Sequence, residues 1–386
     1  MNKLLSCFLF AVIASCVLAA CKKKETNLVS PIPPILKEIF FPEEKDAIPG
    51  RDVLIKGKGF SKEDAVFLQT TGAQVQVAVK EATNTYIKFT LPKDAGGLYK
   101  VTIERDGQKT TLDGTLSVPF VIPLDDVVLP ASNVQQLADV AIGGKGFEAG
   151  DIVQLSADFY PAGKVFSIPV TATAEGISFK LPQGCYGANT VVVTRSNRKT
   201  NLGIVNVEVN VGDVIGGGVV FWTDVAKVHG LIASKTNVGT PTEQFGPGLA
   251  LSGAAGTSKA MQTGKENTAK LLIKMAAFRS GNASWNNKKS AAELCDQLVV
   301  TDGSDSYGDW FLPAQEELIT LFKAKALMAT KGAEVPPNNY WSSSEGDGDA
   351  AGWSAFYVNF YEATNVVSAN SDKEGWRIGV RAVRAF

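Results

Sequence analysis

The chain has 386 residues, of which 45% are hydrophobic and 20% charged, and its formal net charge is −1. That length fits two to four domains, and so balanced a charge gives no overall pull toward nucleic acid. A single histidine, His229, excludes every Ser-His-Asp or Cys-His arrangement, and most zinc sites, that do not use it.

Residues 1–20 read as a signal peptide. Lys3 gives a positive start, Leu4 to Val17 is an apolar stretch too short for a membrane span, and Leu18-Ala19-Ala20 is small-residue-rich before Cys21. This pattern resembles the lipobox of bacterial lipoproteins. The resemblance implies cleavage before Cys21 and lipidation of it, with several acyl chains holding the protein stably on a membrane. Lys22 follows, not the aspartate associated with inner-membrane retention, so the expected location is the outer membrane or surface of a Gram-negative cell. Residues 21–33 are charged and then proline-rich, an extended tether. Once the leader is gone, Cys185 and Cys295 remain, in different expected domains, and no disulfide scaffold is expected.

An internal repeat follows. Asp52-Val53-Leu54-Ile55-Lys56-Gly57-Lys58-Gly59-Phe60 returns 87 residues on as Asp139-Val140-Ala141-Ile142-Gly143-Gly144-Lys145-Gly146-Phe147. Tyr86 to Pro92 returns as Gly176 to Pro182, 90 residues on, so an insertion sits between the blocks. Val53 and Ile55, Val101 and Ile103, Val140 and Ile142, and Val191 and Val193 alternate with period two between turn residues, as in a β-sandwich. No Lys-Ser/Thr follows the Gly-x-Gly-Phe corner, which excludes a phosphate loop. With acidic turns at Asp64 and Asp151, the units over 34–118 and 119–211 resemble TIG (IPT) domains, an immunoglobulin-like family. The resemblance implies spacing or protein contact.

From Gly212 the composition changes, and all six tryptophans lie beyond it. Gly218 to Trp222 and His229 to Ala233 read as a hairpin. Apolar spacing predicts helices over 267–278 and 290–298, the latter with a Ser290/Glu293 capping box and Cys295 on its buried stripe. Trp310-Phe311-Leu312-Pro313 runs into a third helix with Leu318, Leu321 and Phe322 on one face and Pro313 suited to its first turn. Trp353 to Phe360 and Trp376 to Phe386 read as strands. In the last, Ile378, Val380, Ala382 and Phe386 share one parity, and Val383 has the other.

With Gly217-Gly218-x-Val220-Phe221, Gly264-Lys265-x-Asn267-Thr268, Ala291-Ala292-x-Leu294-Cys295, Asp309 to Pro313, Tyr340 to Glu345 and Val380 to Phe386, residues 212–386 resemble the C-terminal domain of Legionella collagen-like adhesins and Fibrobacter major paralogous domains. The resemblance implies an α+β, C-type-lectin-like domain with paired terminal strands, acting in surface adhesion. The type member binds sulfated glycosaminoglycans. Here 16 Lys and Arg face 18 Asp and Glu from Gly212 on, which speaks against a sulfated polymer. Ala314 replaces the family's serine, so Glu317 is expected to lack its reciprocal cap partner.

The whole chain is thus expected to be two all-β immunoglobulin-like sandwiches followed by an α+β C-type-lectin-like domain, without catalytic residues. His229 reads as a structural strand residue. Trp285, Asn286, Asn287, Asp347, Asp349 and Trp353 lie in loops where an aromatic plate beside amides or carboxylates suits a sugar. Asp302 and Asp305 bring oxygen ligands close together, as calcium prefers, without the EF-hand order. The expected function is non-catalytic binding of an extracellular glycan or host surface ligand. Alternatives are an accessory subunit of a surface assembly, with protein partners on the sandwiches, and a polymer-modifying enzyme.

Overall fold

The computed structural model describes residues 34–248, 256–347, 350, 352–361 and 367–386; the expected leader, tether and Cys21 lie outside them. Two compact units result. One takes most of residues 34–117, and the other takes residues 118–386.

The repeat folds as two immunoglobulin-like sandwiches of one topology. In the first, one sheet has the order Lys37–Phe40, Asp52–Lys58, Tyr86–Thr90, Val79–Thr83; the other has Gln74–Val77, Ala65–Gln69, Gly97–Arg105, Gln108–Thr111, with Leu116–Val118 also pairing Gly97–Arg105. The second repeats this with Asp125–Val128, Asp139–Lys145, Gly176–Lys180, Thr171–Thr173 against Phe166–Pro169, Ile152–Ser156, Gly187–Arg195, Arg198–Val207. The alternating residues of the sequence form the cores: Val53, Ile55, Val101 and Ile103 in the first, Val140, Ile142, Val191 and Val193 in the second.

Each sandwich buries one ion pair at the same place. Arg105 Nε and Nη2 donate to Asp64 at 2.7 and 3.0 Å, and Nη2 also donates to Gly59 O at 2.8 Å. Arg195 repeats this on Asp151 at 2.6 and 2.8 Å and on Gly146 O at 2.8 Å. The acidic turn therefore pins the Gly-x-Gly-Phe corner. Both corner glycines have positive φ, 96° and 90°. A Cβ on them would lie 2.2 Å from Ile35 O and 2.4 Å from Pro123 O, which explains why the motif needs glycine.

The sandwiches differ most in one hairpin. Residues 70–73 make a tight turn in the first, while residues 157–165 make a longer loop in the second. That loop supplies the inserted residues, partly offset by a strand Thr171–Thr173 that is shorter than Val79–Thr83, and it docks on the C-terminal domain. Phe159 stacks on Tyr186 with ring centroids 5.1 Å apart and meets Phe386 edge-on at 6.1 Å. Tyr160 donates through its hydroxyl to Tyr186 O at 3.0 Å, and Lys164 pairs with Asp305 at 3.0 Å. Tyr160 and Tyr186 belong to the same apolar core as Ile215, Val220, Trp310 and Phe386. The composition changes at residue 212, but the core runs across it.

The C-terminal domain is α+β. One sheet has the order Val214–Ile215, Gly218–Thr223, Gly230–Ser234, Val383–Ala385, so its first and last strands share a sheet but lie at its two edges and do not pair with each other, contrary to the paired terminal strands expected. A second joins Asn339–Glu345, Ser354–Asn359 and Val367–Asp372. Helices α1 (Gly264–Gly281), α2 (Ala291–Asp296) and α3 (Gln315–Thr330) pack on them. Two cores lie on opposite faces. Val220, Ile232, Trp310, Leu312, Val380 and Ala382 enter one, while Val219, Phe221, Leu231, Ala233, Phe311 and Val383 enter the other. A sheet buried on both faces needs apolar residues at consecutive positions, hence Val219-Val220-Phe221 and Trp310-Phe311-Leu312.

Two expectations change here, and a third is extended. Residues 376–386 are not one strand: Ile378, Gly379 and Val383 bridge singly to Glu243, Tyr340 and Phe311, and only Val383–Ala385 is a regular strand. Pro313 precedes the N-cap Ala314 and so lies outside α3. Glu317 lacks the serine half of its cap, as expected, since Ala314 makes no side-chain hydrogen bond, but it has other partners. Its Oε2 accepts from Ala314 N at 2.8 Å and its Oε1 from Gly264 N at 3.2 Å, so a single buried carboxylate caps α3 and joins it to the start of α1. Burial raises its pKa, with these backbone donors opposing.

Candidate functional site

A cleft of about 690 Å³ opens on the C-terminal domain. Its described walls come from five separated segments: Pro247 and Gly248, Phe278 on α1, Ser284 and Trp285 in the turn after α1, Trp353, and the Asp372–Gly375 turn.

Each wall is fixed from behind. Arg279 on α1 donates through Nε to Trp285 O at 3.1 Å, and its guanidinium pairs with Glu293. Glu293 is the acidic member of the Ser290 capping box that starts α2, so one ion pair locks the Trp285 turn between two helices. The Trp285 side chain is only 3% exposed and belongs to the core, showing the cleft one edge. Trp353 is 47% exposed. Its backbone is held by Lys373 N donating to Trp353 O at 3.0 Å, and Lys373 Nζ reaches Glu345 at 2.7 Å in a pair buried at both ends. Burial pushes the Lys373 amine down, with Glu345 opposing. A charge pair sealed this deeply ties the plate of Trp353 to the end of the strand Asn339–Glu345.

Asp372 Oδ1 accepts from Glu374 N and Gly375 N, both at 2.8 Å, so the turn is rigid. Among the described residues lining the cleft, Asp372 and Glu374 are the ionisable ones, and no described Lys or Arg forms a salt bridge with either. A flat half-exposed indole beside hydrogen-bond acceptors on a rigid turn can stack on an apolar ring face and accept from hydroxyls at its edge.

The sequence candidates separate on this geometry. Trp285 and Trp353 meet at the cleft. Asn286 and Asn287 are exposed beside it but do not line it. Asp347 is exposed and pairs with Lys259 at 2.6 Å, outside the lining; Asp349, like Cys21, lies outside the described residues. Asp302 and Asp305 face each other at the tip of the hairpin Val300–Asp302 and Asp305–Tyr307, with Asp305 held by Lys164. Among the described residues no three His, Cys, Asp or Glu side chains gather as a metal cluster. His229 is corrected: it precedes the strand Gly230–Ser234, is exposed, and lines a separate groove of about 590 Å³ with Phe159, Tyr160 and Thr190. Cys185 and Cys295 are free thiols buried in the fold. Burial pushes the Cys185 thiol up to about 11, and Cys295 higher still.

Sequence reasoning passed over Phe278, Asp372 and Glu374. The one signal was the Asp372-Lys373-Glu374-Gly375 run before Trp376, which by itself looks like any solvated turn.

Residues 34–118 match the family model described as the IPT/TIG domain. The first sandwich is an IPT/TIG domain. The match covers the first sandwich alone, and the second has the strand order of this IPT/TIG domain. Comparison with curated proteins finds no match. Among solved structures, the chain is similar to SGBP-B of a Bacteroides ovatus mixed-linkage glucan utilization locus in complex with a mixed-linkage heptasaccharide. Identity is 20%, over 45% of this chain and 46% of that one, with a TM-score of 0.21. A structure with a xylogluco-oligosaccharide is 19% identical over 46% and 41% of the two chains, with a TM-score of 0.20. Titin domains I67–I69 are 12% identical over 46% and 66%, with a TM-score of 0.20. The chain thus covers about half or less of the two oligosaccharide-bound proteins.

Proposed function

We propose that the protein is a lipid-anchored surface protein that binds an extracellular glycan without chemical change, through the cleft at Trp353. The observation that carries this reading is the half-exposed Trp353 plate, fixed by the buried Lys373–Glu345 pair beside the unpaired carboxylates of Asp372 and Glu374. An indole of that size left open to water loses apolar burial unless a ligand covers it. The lipobox-like Cys21 supplies the anchor, and the sandwiches separate the cleft from the tether in sequence.

The test is a glycan-array screen of residues 34–386, with and without calcium, followed by titration of hits against Trp353→Ala. The expected result is binding that falls at least tenfold in the variant. Absence of any hit in both conditions overturns glycan recognition, and copurification with partner subunits would then favour a role in assembly. Release of new reducing ends from a bound glycan would overturn the non-catalytic reading, since two carboxylates in a sugar cleft are the parts a glycosidase uses. Anchoring is checked separately by labelled fatty acid incorporation, expected in the full chain and lost in Cys21→Ala.

A further inference from the structure

Trp376 is 48% exposed and stacks on Tyr357, with ring centroids 6.0 Å apart and planes 20° from parallel. It follows the cleft turn directly, and its N–H donates to Asp372 O at 3.3 Å. Trp353 is held to the same turn from the other side through the Lys373 N–H. The short segment Asp372–Trp376 therefore carries both cleft carboxylates and has an open indole at each end. Trp353 stands one residue before the strand Ser354–Asn359, and Tyr357, the base of the second stack, lies within it. At about 3.3 Å per residue their Cα atoms are roughly 13 Å apart, longer than one sugar ring.

Charge decides what can lie between the plates. Among the described lining residues the ionisable ones are Asp372 and Glu374, so an approaching sulfate or uronate meets their two negative charges in a partly enclosed site. Repulsion there is stronger than in bulk water. Hydroxyls and amines meet acceptors instead.

Building on the cleft reading above, we infer that the ligand is a glycan chain free of sulfate and carboxylate groups, long enough to stack on Trp353 and Trp376 together, and that Asp372 and Glu374 exclude acidic glycans. This is the opposite charge selectivity from a sulfated-polymer adhesin. Trp376 is then a second stacking plate, built on Tyr357 as its base.

The experiment titrates residues 34–386 by calorimetry with three oligosaccharide series of graded length: neutral gluco-oligosaccharides, amine-bearing glucosamine oligomers, and heparin-derived sulfated oligomers. The wild type is expected to bind one of the first two series and to bind the sulfated oligomers at least tenfold more weakly. Trp376→Ala is expected to lower affinity roughly tenfold for longer oligomers and to leave the shortest bound oligomer unchanged, since only the longer ones reach the second plate. Asp372→Asn keeps Oδ1 for the two turn N–H groups, so with Glu374→Gln it removes charge and leaves the turn; this pair is expected to gain sulfated-oligomer binding, most clearly at low salt.

Tight sulfated-oligomer binding by the wild type, reduced in Trp353→Ala, would overturn the charge selectivity while leaving glycan binding at the cleft in place. Equal loss in Trp376→Ala at every length, or no loss at any, would overturn the two-plate arrangement. Failure of all three series, together with a blank array, would remove the cleft reading itself.

Discussion

Arg384 Nε donates to Asp309 Oδ1 at 2.7 Å, and Nη2 of the same guanidinium reaches both Asp309 Oδ2 at 3.0 Å and Phe159 O at 2.6 Å. One buried arginine on the closing strand thus joins the segment leading into α3 to the insertion loop of the second sandwich. Its partner Asp309 is 38% exposed on the side chain, whereas Arg384 itself is 1% exposed.

That asymmetry makes the two ends unequal. Asp309→Asn leaves the arginine with its backbone acceptors but strands a buried positive charge, and a loss of about 3 kcal/mol is expected. Arg384→Met fills the volume with an apolar chain, lets the Asp309 carboxylate turn to water, and should cost less. Chemical denaturation of residues 34–386 carrying each change measures the order. A smaller loss in Asp309→Asn would mean that backbone acceptors alone satisfy the guanidinium.

The paired corners of the sandwiches predict the reverse order. Asp64 and Asp151 have fully buried side chains, while Arg105 and Arg195 are 25% and 22% exposed. Removing either arginine leaves a buried carboxylate, so Arg105→Ala and Arg195→Ala should each cost about 3–5 kcal/mol. Asp64→Asn and Asp151→Asn should cost less, because the amide oxygen can still accept from Ser61 N or Glu148 N and the arginine can reach solvent. The two arginine changes should affect separate transitions if the sandwiches unfold in different units.

Two glutamates give opposite pH signatures. Burial raises Glu317 above its ordinary 4.5. Its stabilising contribution is present below that value and is lost as pH rises through the raised folded value. Burial also acts on Glu293, but Arg279 and the Ser290 donors outweigh it, and its net shift is down. Its contribution is present above 4.5 and is lost as pH falls through the lowered folded value. Glu317→Gln should flatten the stability profile above pH 4.5, and Glu293→Gln should flatten it on the acid side. Urea midpoints from pH 3 to 8 read both slopes.

Both thiols should be inert in the folded protein. Cys295 is fully enclosed, and Cys185 sits beside Tyr160 and Asn189 with a raised pKa of about 11, so neither forms much thiolate near neutrality. In residues 34–386, an aromatic disulfide reagent should label neither thiol in native buffer and both in denaturant. Fast labelling of Cys185 alone would mean that the junction beneath Tyr160 opens.

Much of the frame was legible because it rests on local rules. Period-two alternation located the sandwich cores, and the Ser290/Glu293 pair located the start of α2. The parity of Ile378, Val380 and Ala382 against Val383 divided the two C-terminal cores correctly. The cleft was only half legible. Its described walls meet from five places in the chain, and nothing in Asp372 or Glu374 distinguishes a ligand-facing carboxylate from a solvated one. The closing segment misled for a related reason. Apolar alternation says which way each residue faces, but here three successive partners, Glu243, Tyr340 and Phe311, replace one continuous neighbour. Glu317 was read as a capping residue without its serine because the backbone of α1, its second client, is fifty residues away.

The loop over 157–165 has a consequence for how such a chain can vary. The lengthened turn in the second copy joins it to the C-terminal domain through Phe159, Tyr160 and Lys164. The first copy has a four-residue turn there. Deleting or exchanging the second sandwich would leave Ile215 and Phe386 without their cover. A portable C-terminal piece therefore begins at the second sandwich rather than at Gly212.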